Sequence, residues 1–154
     1  MGAKVKNPRK KFLWSIMFPK HPINTYLFQS CTLPDIEIDQ VAHGDINRDV
    51  KTAGRVTIGN LIVEKLMTTA GSDTWLHDWL YSCQDHIVGG GLVPSQYWET
   101  AIVNELAEDG VSVLNTHVFE EVWPCKITGL DLDRMASENT IESIEFSVGT
   151  ADKY

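Results

Sequence analysis

EDGVSVLNTHVFEEVWPCKITGLDLDRMASENTIESIEFSVG, residues 108–149, decides the fold class of this chain. Asp109 and Gly110 stand between two strand-like runs, and an Asp-Gly pair in this setting is the strongest short-range signal for a β-hairpin. Pro124 lacks the N–H that a sheet ladder needs, so Trp123-Pro124 predicts a bend at a sandwich corner. The acidic spacer 129–139 is rich in turn residues, and residues 140–148 alternate again as a final strand.

On either side of this stretch, short apolar runs bounded by turn residues predict a mainly β protein. Seven strands are expected, at residues 12–18, 25–33, 35–39, 55–67, 97–108, 111–123 and 140–148. Gly59 predicts a bulge or bend inside the fourth of them. The polar stretch containing Gly44, Asn47 and Gly54 predicts a long loop or an open hairpin. In the final strand, one face carries Ile144, Phe146 and Val148, and the other carries Ser143, Glu145 and Ser147.

One segment has helical periodicity. Ser72 or Asp73 is expected to cap the helix, and Gly89–Gly91 followed by Pro94 is expected to end it. The apolar positions of its stripe are Leu76, Trp79, Leu80, Cys83 and Ile87. The sequence therefore predicts a β-sandwich or barrel of about seven strands with one packed α-helix.

Composition and length indicate an ordinary globular protein. A chain of 154 residues, 43% hydrophobic and 22% charged, is expected to form a single β domain over residues 12–154, preceded by a basic arm over residues 1–11. No apolar run approaches the roughly 20 residues that span a bilayer, so no membrane anchor is expected. The run FLWSIMF is followed by Pro19, Lys20 and His21 in place of a cleavage site, which argues against export.

The charge is unevenly distributed. Residues 1–34 contain six basic and no acidic residues, whereas the other 120 residues contain seven basic and 21 acidic ones, a net charge of −14. A strongly acidic body argues against ordinary nucleic-acid binding, which depends on neutralising phosphates. For the basic arm, a phosphate- or lipid-binding role and a mobile solubilising role both stay open.

The sequence offers no catalytic or metal-binding constellation. His77, Asp78, Cys83, Asp85 and His86 cluster near the helix, but no ligand spacing typical of zinc accompanies them. The Gly89–Gly91 run follows a helix and lacks the Lys-Ser/Thr ending of a phosphate loop. We therefore expect no enzyme activity, catalytic residue, metal or cofactor. Three cysteines fit a reducing cytoplasm, and whether Cys31, Cys83 or Cys125 forms a disulfide between subunits stays open.

The order of the segments resembles the major tail tube proteins of bacteriophages, especially those with contractile tails. The resemblance spans roughly residues 35–150 and rests on HGDINRDV…GNLIVEKLM, DTWLHDWL, ELAEDGVSVLNTHVFEEVWPCKITGLDLD and ENTIESIEFSVG. The matching stretches are Asn60–Met67, Thr74–Leu80, Glu105–Asp133 and Asn139–Val148. Two features depart from the pattern: SQYWETAIV lacks the usual basic residues, and the N-terminus is long and basic.

The resemblance implies a structural virion protein. Its homohexameric rings would stack into a hollow tail tube that conducts DNA and houses the tape measure protein. The implied partners are further copies of the chain, the tail sheath, the baseplate and the tail terminator, in a virion tail assembled in the host cytoplasm. A type VI secretion tube or a phage-derived bacteriocin tube is the alternative, and a small-molecule-binding β-barrel is a more distant one.

Three groups of residues are candidates for the surfaces of such a tube. Carboxylates that repel phosphates suit a channel that passes DNA without holding it. The lumen candidates are Asp35, Glu37 and Asp39, then Glu145, with an acidic face turned to solvent as the alternative. The resemblance places the inter-ring extension at residues 40–54, which makes Asp45, Arg48, Asp49, Lys51 and Arg55 stacking candidates. The arm candidates, for the next ring or the sheath, are Lys4, Lys6, Arg9, Lys10 and Lys11.

Overall fold

The fold is mainly β. The computed structural model describes residues 8–20, 28–67 and 74–153. The elements in these ranges are β1 (Trp14–Met17), β2 (Phe28–Thr32), β3 (Ile36–Gly44), β4 (Asp49–Ile58), β5 (Leu61–Leu66), α1 (Trp75–Cys83), α2 (Pro94–Tyr97), β6 (Glu99–Leu106), β7 (Val113–Ile127), β8 (Ile141–Ser147) and β9 (Thr150–Lys153). The mainly β fold class is confirmed.

The main sheet runs β1-β6-β7-β8-β5-β2, with β9 added to β7. All of its pairs are antiparallel. The 15-residue β7 belongs to two layers, because residues 113–122 pair with β6 while residues 123–127 pair with β8. We call β1, β6, β9 and the first part of β7 the first layer, and β2, β5, β8 and the last part of β7 the second layer. The crossing lies at the predicted Trp123-Pro124 corner.

The two layers and α1 share one aromatic core. Phe18, which follows β1, is fully buried at its centre. Its ring centroid lies 5.3 Å from that of Phe146 and 5.9 Å from those of Phe28 and Trp79. Tilted and edge-on contacts of this kind stabilise beyond the area that they bury. The buried apolar side chains around it include Ile16, Ala101, Val103, Phe119, Val122, Leu61, Val63, Ile144 and Leu76.

Residues 55–67 form two strands in two different sheets, so the prediction of one bent strand is wrong. β4 pairs with β3 in a separate ribbon, whereas β5 lies between β2 and β8. The chain leaves the ribbon at Gly59, whose N–H donates to the carbonyl of Asp35 at 2.8 Å. Burial explains the division, since Leu61 and Val63 are fully buried while Val56 on β4 is 58% exposed.

The helix is shorter than predicted. It ends at Cys83, because Gln84 adopts an extended conformation, and Ile87 lies beyond it at 82% exposure. The Asp85 carboxylate accepts hydrogen bonds from the backbone N–H groups of Ile87 and Val88, a local turn that competes with helix. Gly89–Gly91 therefore belong to a loop, and Pro94 opens α2. The predicted caps Ser72 and Asp73 lie outside the described residues.

The Asp109-Gly110 hairpin is present, within a longer connection than a two-residue turn. The backbone N–H of Ala107 donates to the carbonyl of Ser112 at 2.7 Å. The Asp109 carboxylate accepts hydrogen bonds from the hydroxyl and backbone N–H of Ser112 and from the N–H of Val111. These bonds favour the ionised form of the Asp109 carboxylate and therefore lower its pKa. They also fix the conformation of the loop.

The corner between the layers requires a glycine at position 149. β8 leads to β9 beside the point where β7 crosses, and the Gly149 N–H donates to the carbonyl of Glu120 at 3.1 Å. Glu121 has a left-handed backbone with φ of 56°. A Cβ at position 149 would overlap Glu121 Oε2 and lie 2.6 Å from Glu121 Cβ.

We expect Gly149→Ala to lower the free energy of unfolding by about 1–3 kcal/mol through this overpacking. Glu121→Gly removes both clashing atoms and relaxes the left-handed position, so it should restore most of the loss. Urea denaturation of the two single variants and the double variant measures the coupling. If Gly149→Ala lowers the free energy of unfolding as much in the Glu121→Gly chain as in the wild-type chain, the steric explanation is wrong.

Candidate assembly surfaces

The β3–β4 hairpin is a two-stranded ribbon that, within the described ranges, pairs only with itself. Its strands have nine and ten residues, so it extends about 30 Å at 3.3 Å per residue. Every residue of β3 is exposed, and so are most residues of β4. An isolated hairpin is marginally stable in water, so a ribbon this exposed indicates a surface that is covered in an assembly.

The two faces of the ribbon differ in chemistry near its base. Ile36 lies opposite Ile58, and Ile38 lies opposite Val56, so these four side chains share an apolar face. Ile36, Ile38 and Val56 are 61%, 53% and 58% exposed. The other face carries the lumen candidates Glu37 and Asp39, with Glu37 opposite Thr57. Apolar and acidic side chains of residues 36–39 thus lie on opposite faces, as predicted, but in the isolated chain neither face is buried.

Four of the five stacking candidates lie on the outer part of this ribbon, and Arg55 lies near its base beside Val56. Residues 40–54 thus belong to an open hairpin, one of the two structures expected there. Asp45 and Arg48 lie in the turn, where the Asp45 N–H donates to the Arg48 carbonyl at 2.8 Å. Asp49, Lys51 and Arg55 lie on β4, and all five are exposed. The sequence analysis missed Ile46, which is 94% exposed at the tip and lies among charged residues.

Glu145 lies on a different sheet from the lumen candidates Glu37 and Asp39. It lies in the second layer on β8, pointing away from the core because its neighbours Ile144 and Phe146 are buried. In the sheet register it is opposite Lys126 and Ile62, and Asn60 Nδ2 donates to Glu145 Oε2 at 3.4 Å. Glu37 and Asp39 lie on the separate ribbon.

The last part of the basic arm lies against the body of its own subunit. Arg9 Nη1 is 3.1 Å from Glu105 Oε2, and His117 Nε2 is 3.3 Å from the same oxygen. Partial burial raises the pKa of Glu105, but hydrogen bonds from His117 and Asn115 and the charges of Arg9 and His117 outweigh it, so the pKa lies below its usual range. Lys10 and Lys11 are exposed, and Lys4 and Lys6 lie outside the described residues.

Both layers end in strands with an unpaired edge. Among the described residues, β1 pairs only with β6, β2 only with β5, and β9 only with β7. An unpaired edge presents a row of backbone donors and acceptors to another strand. The subunit therefore offers edges through which copies can join.

A buried polar cluster joins α1 to the second layer. Lys65 on β5 and Glu142 on β8 are opposite each other in the sheet, with 0% and 1% exposure. His77 Nε2 on α1 lies 3.2 Å from Glu142 Oε2. Sequence reasoning missed this cluster, although Glu142 has the same parity as Ile144 and Phe146. The one signal in the sequence was that Glu142 lies two and four residues from Ile144 and Phe146, and therefore on the same face of the strand.

Cys83 and Asp85, two of the residues that suggested a metal or thiol site, make hydrogen bonds with the backbone. Cys83 Sγ donates to the Trp79 carbonyl at 3.3 Å, and burial raises the pKa of its thiol. In the part of the chain that the structure describes, no three His, Cys, Asp or Glu side chains are grouped to hold a metal ion. All three cysteines are free thiols, and burial raises the pKa of Cys31 to about 12. No helix in the described ranges is long and apolar enough to cross a membrane.

Comparison with solved structures shows the same fold in chains of contractile injection systems and of a type six secretion system. A chain of the anti-feeding prophage cap (the tube terminating cap) superimposes with a TM-score of 0.81 at 15% identity, over 100% of this chain and 95% of that one. A chain of an extracellular contractile injection system, the PVC sheath-tube complex in its extended state, gives 0.78 at 18% identity, over 97% and 93%. A type six secretion system protein gives 0.58 at 12% identity, over 91% and 81%.

At these identities the structural likeness shows the fold alone, and the curated proteins give no significant match. The family is shown by a sequence model. The model of the T4-like virus tail tube protein gp19 matches residues 10–150 of the 154. The match contains the ribbon, both layers, α1 and the Trp123-Pro124 corner. This chain therefore belongs to the T4-like virus tail tube protein family, and it is a structural subunit of a tube.

Proposed function

We propose that the chain forms homohexameric rings that stack into the tail tube of a phage particle, through which DNA passes. The observation that carries the proposal is the exposed β3–β4 ribbon, whose apolar base needs a partner that the isolated subunit lacks. The free edges of β1, β2 and β9 supply the lateral contacts. Joining copies head-to-tail around an axis pairs the edges without leaving an open end.

The ribbon is proposed to connect one ring to the next. A ribbon of about 30 Å is long enough to reach beyond its own ring. Its apolar base would be covered by the neighbouring ring. Asp45, Arg48, Asp49 and Lys51 supply charges of both signs near the tip, and Arg55 adds a positive charge near the base. Mixed charges favour one register between rings, because a displaced register brings like charges together.

The acidic face of Glu37 and Asp39, with Asp35 beside it, is proposed to line the channel. A wall of carboxylates repels DNA phosphates within a Debye length of about 8 Å at physiological salt. The repulsion prevents the multiple Lys and Arg contacts that would hold DNA in the tube. Glu145 is the second candidate, and its position beside Lys126 supports it less than the unpaired acidic face of the ribbon.

Other components of a contractile tail are proposed as partners. The PVC structure that this chain resembles is a sheath-tube complex, and the anti-feeding prophage structure is a tube terminating cap. We propose a sheath around this tube, a baseplate and a terminator at its ends, and a tape measure protein inside it, assembled in the host cytoplasm. The basic arm, through Lys10 and Lys11, is a candidate for meeting an acidic face of the next ring or of the sheath.

Electron microscopy of the purified chain over a range of concentrations tests the proposal. We expect hollow rings with sixfold symmetry at low concentration and stacked tubes at high concentration. Particles that stay monomeric even when tubes of a related phage are added as initiators would contradict it.

A reconstruction of the tube then locates Glu37, Asp39 and Glu145, and a channel lined by other residues would overturn the lumen assignment. Deleting residues 2–11 tests the arm, whose role fails if assembly and sheath binding are unchanged.

A type VI secretion tube or a bacteriocin tube remains the second candidate, favoured by the likeness to injection systems. Neighbouring genes for capsid and terminase would support the phage tail, and their replacement by secretion genes would support the alternative.

A further inference from the structure

The loop after α1 holds two aliphatic side chains in solvent. Ile87 and Val88 are 82% and 83% exposed. The loop is closed by hydrogen bonds from the Asp85 N–H to the Gly90 carbonyl at 2.8 Å and from the Gly89 N–H to the Asp85 carbonyl at 3.0 Å. We call residues 85–90 the Ile87–Val88 knob.

The knob is a built feature of the chain. Gly89 and Gly90 have φ of 80° and 83°, which glycine adopts without a steric cost. The Asp85 carboxylate accepts hydrogen bonds from the N–H groups of Ile87 and Val88, and these bonds lower the pKa of Asp85. Turn tips are usually polar, so a closed turn that presents two adjacent aliphatic side chains indicates a surface that another molecule covers.

An apolar groove lies elsewhere on the subunit, between the two end strands of the main sheet path. The groove has a volume of about 650 Å³, within the roughly 300–1,000 Å³ of clefts that bind ligands. Phe12 at its rim is 75% exposed, and Phe28 on β2 is buried at its base. The lining residues are Lys11, Phe12, Trp14, Ser15, Ile16, Phe28 and Gln29. We call it the β1–β2 groove.

The knob and the groove carry opposite charges: Asp85 belongs to the knob, and Lys11 lines the groove. Residues 74–98, which carry the knob, include Asp78 and Asp85 and no Lys or Arg. Residues 8–20, which carry one wall of the groove, contain no acidic residue, and Arg9 among them is paired with Glu105 of its own subunit. Complementary charges around an apolar centre favour one partner and one orientation.

We propose that the Ile87–Val88 knob of one subunit inserts into the β1–β2 groove of a second copy of this chain. Ile87, Val88 and Phe12 are all highly exposed in the isolated subunit, so a contact between them requires two copies. Two different patches that meet in this way form a heterologous interface, which generates rings or filaments. The inference rests on the proposed tube and adds a side-chain contact beside the free edges of β1 and β2.

Photo-crosslinking tests the contact directly. The photoreactive residue p-benzoylphenylalanine is placed at position 88, and the matched control carries it at Met135, which is 90% exposed on the 129–139 spacer. In assembled tubes we expect position 88 to crosslink to the tryptic peptide 12–20 of another subunit. Position 135 is expected to give no crosslink to that peptide.

A second readout uses the concentration at which tubes form. We expect Val88→Asp to raise it by about tenfold or more, because the buried knob would then carry a charge, and Met135→Asp to leave it unchanged. Crosslinks from position 88 to other peptides, or Val88→Asp tubes forming at the wild-type concentration, would overturn this inference and leave the tube intact. Wild-type chain that forms no tubes would overturn both.

Discussion

Replacing Ile38 by Lys together with Val56 by Glu is expected to raise the concentration required for tube assembly by about 100-fold or more. The two residues lie opposite each other on the apolar face at the base of the ribbon and are 53% and 58% exposed in the isolated subunit. Covering that face would bury two charges. The free energy of unfolding of the subunit should change by no more than about 0.5 kcal/mol, since oppositely charged cross-strand pairs are tolerated on exposed strands.

A matched control exists on the other face of the same two strands. Glu37→Lys with Thr57→Glu introduces the same charge pair one position away, on the face proposed to line the channel. We expect this variant to assemble at the wild-type concentration. Sedimentation and electron microscopy measure assembly, and urea denaturation measures the subunit. Equal assembly by both double variants would show that the apolar face is not an interface.

Glu142→Ala is expected to lower the free energy of unfolding by about 1–3 kcal/mol, because it removes the buried carboxylate that His77 contacts and leaves a void in its place. Glu142 is 1% exposed and lies opposite the fully buried Lys65 in the sheet. Its carboxylate contacts His77 and so connects α1 to the sheet. Urea denaturation measures the loss.

Glu145→Ala on the same strand is the matched control, with an expected loss below about 0.5 kcal/mol because its side chain faces outward. Glu142→Leu should recover most of the stability, since an apolar side chain of similar volume fills the same buried site. If Glu142→Ala unfolds at the wild-type urea concentration, the cluster carries no stability.

Local signals in the sequence were sufficient for several elements. The Asp109-Gly110 pair predicts the β6–β7 hairpin because the turn chemistry lies within four residues of chain. The strict alternation of residues 140–148 predicts β8 and its buried Ile144 and Phe146, because the side-chain period of a strand is two. The existence of α1 follows in the same way from its helical period. With the resemblance along residues 35–150, these signals led to the tail tube family.

The tertiary structure alone decided how those elements are shared between sheets. Nothing local separates Val56 from Leu61, yet one lies on an exposed ribbon and the other in the core, because their pairing partners are distant in the chain. The same holds for Glu142, whose burial depends on Lys65 and His77 across two other elements. Local sequence determined the β6–β7 hairpin, the final strand and the existence of α1, and with the resemblance it led to the family, since turns and periods are local. Only the fold decided which polar groups are buried and which apolar faces are left exposed on the subunit, since both depend on contacts between segments far apart in sequence.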